Sequence, residues 1–496
     1  MDDSKAARPA HQHQAPDIRE THTGIVVLIG DRCYKGKKPI ATGFLDFRSV
    51  ERRDAACRNE LSLNRRLAPD VYLGIAHLTS PDGECREPIL VMRRLPDRLR
   101  LSHLVTTRTL ADKDLQRLVE QLCTFHARAE RGSVIDECGT AASVLARWRA
   151  NIAEIRGFHD QIPPERVLAE IDQHAARYTS GRQRLFDRRI TEHRIVDGHG
   201  DLIADDIFCL PDGPRILDCL DFDDRLRFVD CIDDVAFLAM DLEFLGRPDL
   251  AQDMVGRYRD LAGDTAPRSL VHHYTAYRAL VRAKVDCIQH SQGVEHAGLS
   301  ATRHTLLTLE HLRAGAVRLG LVGGLPGTGK STLATRLAEA ASAVVVSSDS
   351  VRDELRRSGV LRGEPGAYRR GLYSPAAISA VYDTMLGRAE EHLRNGESVV
   401  VDASWSDLQE RRRARELAEN TASTLVQFRC ACPPTVSAQR IADRTVGFSD
   451  ATAAIADRMS TDADPWTDAV TIDTMRTVDE AASETLRIWR SHHSDP

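Results

Sequence analysis

Residues 323–332 read GGLPGTGKST, and within this run Gly324, Gly329, Lys330 and Ser331 complete the spacing GxxxxGK[ST]. No other stretch constrains the fold as tightly, because the pattern has meaning only between a strand and a helix. Both flanks have the required periodicity. VRLGLV ahead of the run alternates apolar residues like a half-buried strand, and STLATRLAEAA behind it spaces them like an amphipathic helix. Glycines let the backbone fold tightly, so that successive N–H groups and the positive end of the helix face anionic oxygens. Gly324, Leu325, Pro326, Gly327, Thr328, Gly329, Lys330, Ser331 and Thr332 are therefore expected to cradle the phosphates of ATP or GTP. Lys330 would bridge the terminal phosphates, and the Ser331 hydroxyl would sit on Mg2+.

A chain of 496 residues exceeds what one hydrophobic core organises, and the loop comes late, so a separate N-terminal domain must precede it. Hydrophobic residues at 42% and charged residues at 28% exclude general disorder. The net charge of -6, with both signs interspersed and no long basic tract, argues against long nucleic acids as partners. The 11 cysteines are scattered without a CxxC pair, which suits reduced thiols better than a disulfide scaffold or a zinc site. No apolar stretch reaches the roughly 18 residues of a membrane helix, and MDDSKAARPAHQHQ has no apolar signal core. These features predict a soluble cytoplasmic protein that does not engage membranes. Residues 1–20 read as a disordered leader in which His11 and His13 are solvated.

Beyond the leader, GIVVLIG and RCYKGKKPI read as a hairpin across Gly30-Asp31. VERRDAACRNELSLNRRLA follows as a helix with Leu61, Leu67 and Ala68 near one face, and EPILVMRRLP as a buried strand. LQRLVEQLCTFHARAE and most of the chain to about residue 185 read as helices. The stretch GHGDLIADDIFCLPDGPRILDCLDF then carries Asp201, Asp206 and Asp218, the last after a turn at Pro211-Asp212-Gly213. One acid on a loop, a second a short step later and a third after a hairpin supply one base and two Mg2+ ligands.

This stretch resembles the catalytic and metal-binding segments of aminoglycoside phosphotransferases, within the protein-kinase-like superfamily. The resemblance implies a bilobal α+β domain over residues 21–313, with a small lobe at about 21–97 and a large lobe at 98–313. It makes Asp201 the catalytic base, and Asp206 stands where that family usually has a metal-binding Asn. Asp218 becomes the metal ligand after the hairpin, with Asp221 a close competitor. Lys35 would pair with phosphate and Glu60 would be its helix partner, while Met92 to Leu95 would form the hinge beside adenine. Lys37 points to the same strand face as Lys35 and could replace it. There is no clear GxGxxG loop between the first strands. Downstream, residues 222–244 read as a helix with Val235, Leu238, Ala239 and Leu242 on one face, and Asp233 and Asp234 capping it or holding the catalytic loop. In YTAYRALVRAKVDCIQH, Arg278, Arg282 and Lys284 are expected on a solvated face.

From residue 314 to 496 strands alternate with helices: VRLGLV, AVVVSS, SVVV and TLVQFR. That order implies an α/β P-loop domain with a mainly parallel sheet, whose ligands bind at the carboxyl ends of the strands. Asp349 and Arg352 follow one strand end and Asp402 another; Asp402 is the natural acid to hold Mg2+ or its water. This region resembles small P-loop kinases such as polynucleotide 5'-hydroxyl kinases, gluconate-type kinases and zeta toxins. The resemblance implies that Asp349 takes the proton of the attacking hydroxyl and Arg352 grips the acceptor, where the plain reading is a helix N-cap at Ser348 or Asp349 with Arg352 exposed. Arg440 and Arg444 lie four apart, as lid arginines or as solvated helix charges, and a helix is expected to start near Ser449.

The expectation is an ATP- and Mg2+-dependent phosphotransferase with two nucleotide-binding modules and a small, sugar-like phosphate acceptor. A regulatory ATP-binding switch with a small-molecule sensor domain, and a nucleic-acid 5'-end kinase, are the competing readings. Oligomeric state is not readable from the residues.

Overall fold

The computed structural model of the protein describes residues 16–20, 24–41, 46–80, 86–158, 162–363, 369–443 and 452–491. The chain packs as two compact units, Met1–Cys138 with His193–Asp264, and Gly139–Glu192 with Thr265–Pro496. The second unit thus groups helices ahead of residue 314 with the parallel sheet.

In the first unit β1 (Asp17–Glu20), β2 (Gly24–Ile29), β3 (Arg32–Lys37), β4 (Tyr72–Thr79) and β5 (Arg86–Arg93) form an antiparallel sheet in the order β1-β2-β3-β5-β4. The hairpin β2–β3 is as expected, with Val26 opposite Lys35. Residues 17–20, expected within the disordered leader, instead form the edge strand, with Ile18 opposite Val27. His11 and His13 lie outside the described residues.

The helix Val50–Asn64 starts at Ser49, whose hydroxyl accepts from the Arg52 N–H. Its buried residues are Arg53, Cys57, Glu60, Leu63 and Asn64, so the stripe it turns inward is largely polar, while Leu61 is half-buried against the core of Ala68, Val71, Tyr72, Leu90 and Met92. Burial of polar groups is tolerable only with partners. Arg53 holds Glu87 at 2.5 and 2.6 Å, Asn64 Oδ1 accepts from the Cys219 N–H at 2.9 Å, and Glu60 takes two lysines. The expected apolar contact comes just past the helix, where Leu67 and Ala68 are buried.

Further along this unit come the helix Asp112–Arg128 and the short strands β6 (Ile195–Asp197), β7 (Ile207–Leu210), β8 (Gly213–Ile216) and β9 (Phe228–Asp230). β6 pairs with β9, and β7–β8 is the expected hairpin. The following helix is shorter than expected, Cys231–Phe244, and Asp230 caps it by accepting from the Ile232 N–H. Every residue from Cys231 to Met240 is buried, so this helix is a core element on all sides.

The second unit holds β10 (Arg318–Gly323), β11 (Val344–Ser347), β12 (Val399–Asp402), β13 (Thr424–Ala431) and β14 (Val470–Asp473), all parallel, in the order β11-β12-β10-β13-β14. The strand β14 was not expected. Val322, Leu333, Leu337, Val400, Phe428 and Trp489 lie in the core that joins this sheet to its helices.

The loops ahead of β12 and β13 rest on the helices Glu165–Gly181, Gln183–Thr191 and Arg268–Ser291. Arg182, 1% exposed, donates to the Thr421 carbonyl, Arg177 Nη2 donates to the Ser423 carbonyl at 2.8 Å, and Ser269 Oγ donates to the Gly396 carbonyl at 2.6 Å. A Cβ at Gly181 would collide with the Thr421 carbonyl oxygen, so the approach requires glycine. The solvated face expected of the helix Arg268–Ser291 is not observed. Arg278 is 4% exposed and sits over the Tyr277 ring, while Arg282 and Lys284 are half-buried and Lys284 pairs with Glu154 at 3.2 Å.

Candidate functional site

The first unit gathers a charged network on β3. Alternation puts Lys35 and Lys37 on one strand face. Lys35 Nζ lies 2.8 Å from Glu60 and 2.7 Å from Asp218; Lys37 Nζ lies 2.7 Å from Glu60 and 2.9 Å from Asp221. Both lysines thus share Glu60, and each takes one of the two competing acids. Burial works against the charge of Glu60, but Lys35 and Lys37 together hold its carboxyl below the usual range. Burial likewise opposes the charge of Lys35, and Asp218 and Glu60 outweigh it, raising the ammonium well above its ordinary value. Lys35 in turn holds the Asp218 carboxyl low.

Asp218 has φ +60 and is exposed, and its N–H donates to the Tyr72 hydroxyl at 3.1 Å. A non-glycine residue in the left-handed region stores backbone strain, which is common where a side chain must be aimed. Asp206 ends the short turn before β7, and its carboxyl is pushed well above the usual range, chiefly by burial and then by Asp218 and Asp201 nearby. Asp221 is also pushed up by burial. The structure places Asp206 near Asp218 and Asp201, and Asp218 on Lys35. The Met92 side chain belongs to the core with Ala68, Val71, Tyr72 and Leu90.

The loop bearing Asp201 is held from below by Asp234. This fully buried carboxylate accepts from the His199 N–H at 2.6 Å and the Gly200 N–H at 2.9 Å, and meets His126 Nε2 at 3.2 Å. His126 Nδ1 in turn meets the Tyr258 hydroxyl at 2.8 Å. Burial opposes the charge, yet these partners bring the Asp234 carboxyl below its ordinary value. Of the two roles open to Asp234 in the sequence it has the loop-holding one. His126 and Tyr258 carry no motif, and only their meeting in space reveals them.

The second unit places the glycine-rich loop where the pattern requires it, between β10 and the helix Lys330–Ala341. Gly324, Gly327 and Gly329 have φ of +143, +81 and +84. A Cβ at Gly327 would also strike the Ser437 carbonyl of the helix Pro434–Ala442, so both conformation and space exclude a side chain. Asp402 ends β12 opposite Val322 and Ser347. It is 3% exposed, Ser347 Oγ donates to its Oδ2 at 3.4 Å, and its Oδ1 is buried without a partner. Burial raises its carboxyl above the ordinary range, against the pull of the Lys330 ammonium and the Ser331 hydroxyl nearby.

The loop separates two cavities of about 320 Å³ each. One is lined by Lys330, Asp349, Arg352, Tyr373, Ser404 and other residues; the second by Gly327, Gly329, Thr332, Arg440, Thr474 and others. Asp349 lies in the first turn of the helix Ser348–Arg357, whose N-cap is Ser347, so capping by Ser348 or Asp349 is not observed. Arg352 Nη1 lies 2.9 Å from Asp349 Oδ1, and its guanidinium sits 4.5 Å over the Tyr373 ring with the side chain 13% exposed. It is not the exposed arginine of the plain reading.

Arg440 donates to the Thr474 carbonyl at 2.8 Å at the second cavity. Its helix ends at Ala442, and Arg444 and Ser449 lie outside the described residues. The next helix is Ala453–Asp462, capped by Thr452. Tyr373, Thr474 and the serines after β12 were missed in the sequence, where short polar loops carry no periodic signal. Among the described residues no three His, Cys, Asp or Glu side chains form a metal site on their own, and no helix is long and apolar enough to cross a membrane.

Residues 319–465 match the family model described as an AAA domain. Uncharacterised proteins of Mycobacterium tuberculosis and Mycobacterium bovis are 48% identical over 485 residues, covering 98% of this chain and 97% of each relative. Among solved structures, a gluconokinase from Sinorhizobium meliloti covers 36% of this chain and 98% of its own, at 18% identity and TM-score 0.27. A choline/ethanolamine kinase family protein from Mesorhizobium loti covers 60% and 88%, at 14% identity and TM-score 0.39. The first unit carries an antiparallel sheet, and the second an all-parallel α/β sheet whose glycine-rich loop lies within the matched AAA domain. The chain belongs to the same family as these mycobacterial proteins, with the AAA domain as its C-terminal nucleotide-binding part.

Proposed function

We propose that this protein is a cytoplasmic phosphotransferase with two ATP-binding modules, and that its P-loop module transfers the γ-phosphate of ATP to a hydroxyl of a small, sugar-like acceptor. The observation that carries the proposal is the single cavity lined by both Lys330 and Asp349. A pure nucleotide switch needs no base for an acceptor hydroxyl beside the phosphates.

In this reading the backbone N–H groups of residues 324–332 bind the phosphates and Lys330 draws the γ-phosphate into place. Asp349 accepts the proton of the acceptor hydroxyl, and Arg352 keeps the Asp349 carboxylate oriented through their 2.9 Å contact. Asp402 and Ser331 fit a Mg2+ ion, because the orphaned Asp402 Oδ1 is a buried acceptor that such an ion would satisfy. When bound, the ion neutralises phosphate charge. Few protein ligands suffice, since Mg2+ takes most of its ligands from phosphate and water.

The first unit supports a second site on the same chemistry: Asp201 as base, Asp206 with Asp218 or Asp221 as Mg2+ ligands, and Lys35 or Lys37 on the phosphates. The proposal is tested by measuring ADP release over a panel of sugars, aminoglycosides and nucleosides in the wild type and in Lys330→Ala, Asp349→Asn and Asp201→Asn variants. Acceptor-stimulated release that one or more variants abolish is expected. Release that no acceptor raises above the water rate contradicts it.

A further inference from the structure

A small cavity of about 30 Å³ lies in the second unit at the end of β10 away from the glycine-rich loop. Arg177 and Tyr178 of the helix Glu165–Gly181, Arg182 just after it, His273 of the helix Arg268–Ser291, and Val317 and Thr424 at the starts of β10 and β13 are part of its lining. It has room for about one or two water-sized species and none for a nucleotide or a sugar. Two residues of this lining carry a buried donor that lacks an acceptor.

The first donor is on His273, which is 1% exposed. Trp148 Nε1 donates to His273 Nε2 at 3.1 Å, and an indole N–H can only donate, so Nε2 is the acceptor and the ring carries its proton on Nδ1. Burial keeps the ring neutral, bringing it down to about 3. Nδ1 is buried without a partner, which leaves its N–H unsatisfied. The second donor is Arg182 Nε, also buried without a partner although the two Nη atoms reach the Thr421 carbonyl and Ser423 Oγ. Folded proteins seldom leave such groups orphaned, and a bound water or ion is the usual remedy.

Charge decides between the two. Among the described residues no Asp or Glu lines the cavity. Arg177 bonds to the Ala422 and Ser423 carbonyls and Arg182 to one carbonyl and one hydroxyl, and burial draws both guanidiniums below their ordinary value with no carboxylate to oppose it. Glu170 meets His174 of the lining at 3.6 Å, but it takes Arg313 at 2.6 Å and acts on neither of these arginines. A water would satisfy the donors and leave two positive charges, partly out of solvent, uncompensated. An anion answers both needs.

We propose that this cavity is a binding site for one monatomic anion of the chloride class, held by the N–H groups of His273 Nδ1 and Arg182 Nε and by the charge of Arg177. The same two arginines hold the Thr421, Ala422 and Ser423 carbonyls ahead of β13, so the anion ties the helices to the parallel sheet and stabilises the second unit by binding only its folded form.

The test uses the full chain. Crystals are soaked in bromide, whose anomalous scattering locates a halide. Thermal unfolding is followed as chloride replaces gluconate at constant ionic strength, in the wild type and in Arg177→Gln. An anomalous peak within hydrogen-bond distance of His273 Nδ1 or Arg182 Nε is expected, with a Tm that rises by about 3 °C for each tenfold increase in chloride above its dissociation constant. Arg177→Gln is expected to raise the chloride concentration needed by about tenfold, the scale of a lost charge-assisted contact. Should this variant fail to fold, the wild-type peak and titration decide alone. A water without anomalous signal at this position, or a wild-type Tm indifferent to chloride, overturns the proposal. A chloride response unchanged in Arg177→Gln places the effect elsewhere and overturns it as well.

Discussion

Arg352 Nη1 lies 2.9 Å from Asp349 Oδ1 one helical turn away, while the same guanidinium is stacked 4.5 Å over Tyr373. The ring fixes the arginine and the arginine fixes the carboxylate, so the orientation of Asp349 depends on a residue that need not touch the transferred phosphate. Arg352→Ala is expected to lower kcat at the P-loop site on the order of 10²-fold, the usual cost of a misplaced group, with ATP affinity little changed. Single-turnover kinetics and nucleotide titration separate the two effects. Arg352→Lys recovers little, because an ammonium lacks the planar face that stacks on Tyr373.

Gly327 combines φ +81 with a Cβ position blocked by the Ser437 carbonyl. Gly327→Ala should therefore weaken ATP binding at the P-loop by more than about tenfold, since the backbone must leave the conformation that aims its N–H groups. If the first unit binds nucleotide independently, calorimetry will show one of two sites lost. Two intact sites in this variant would contradict the loop geometry.

Asp234 supplies a pH-dependent prediction. Its carboxyl is lowered in the folded state, so its contribution is complete above the unfolded value of about 3.9 and is lost as pH falls through the folded value. Asp234→Asn should remove part of the acid-induced loss of stability below about pH 4 and cost about 3–5 kcal/mol at neutral pH, the range for breaking a buried charge partner. Denaturant titrations at a series of pH values measure both. An unchanged acid limb would show that Asp234 does not govern this loop.

Arg182 is buried, with its guanidinium on the Thr421 carbonyl and Ser423 Oγ, and burial brings it down to about 10. Arg182→Ala leaves the Thr421 carbonyl, just ahead of β13, with only the 3.3 Å bond from Ser423 Oγ and removes a buried side chain, and a loss of about 2–4 kcal/mol is expected. Thermal unfolding of the second unit reports it. A neutral outcome would mean that the loop ahead of β13 draws its support from Arg177 alone.

What the sequence made legible was local. The strand, glycines, Lys330 and following helix are contiguous, and Asp201, Asp206 and Asp218 sit within one short stretch, so spacing alone brings them near each other. Of the partnerships across the chain, only that of Lys35 with Glu60 was anticipated, through the family resemblance and not through periodicity. The helix Val50–Asn64 turns Arg53, Glu60 and Asn64 inward because their partners are Glu87, two lysines and the Cys219 N–H, none of which a periodicity of apolar residues can register. Arg278 read as solvated for the same reason, although it is buried over Tyr277. The strand β14 is only VTID, with no turn signal strong enough to set it off, yet it completes the sheet and positions Thr474 beside Arg440.

The central claim is transfer to an acceptor, and the fate of the γ-phosphate tests it most directly. With ATP labelled at the γ-phosphorus and an acceptor that stimulates ADP release, the label is expected on the acceptor. Transfer at the P-loop site should fall by at least about 10²-fold in Asp349→Asn while nucleotide binding persists, the scale of a lost general base. Label recovered only as inorganic phosphate, at a rate indifferent to acceptor and to Asp349, would contradict the account.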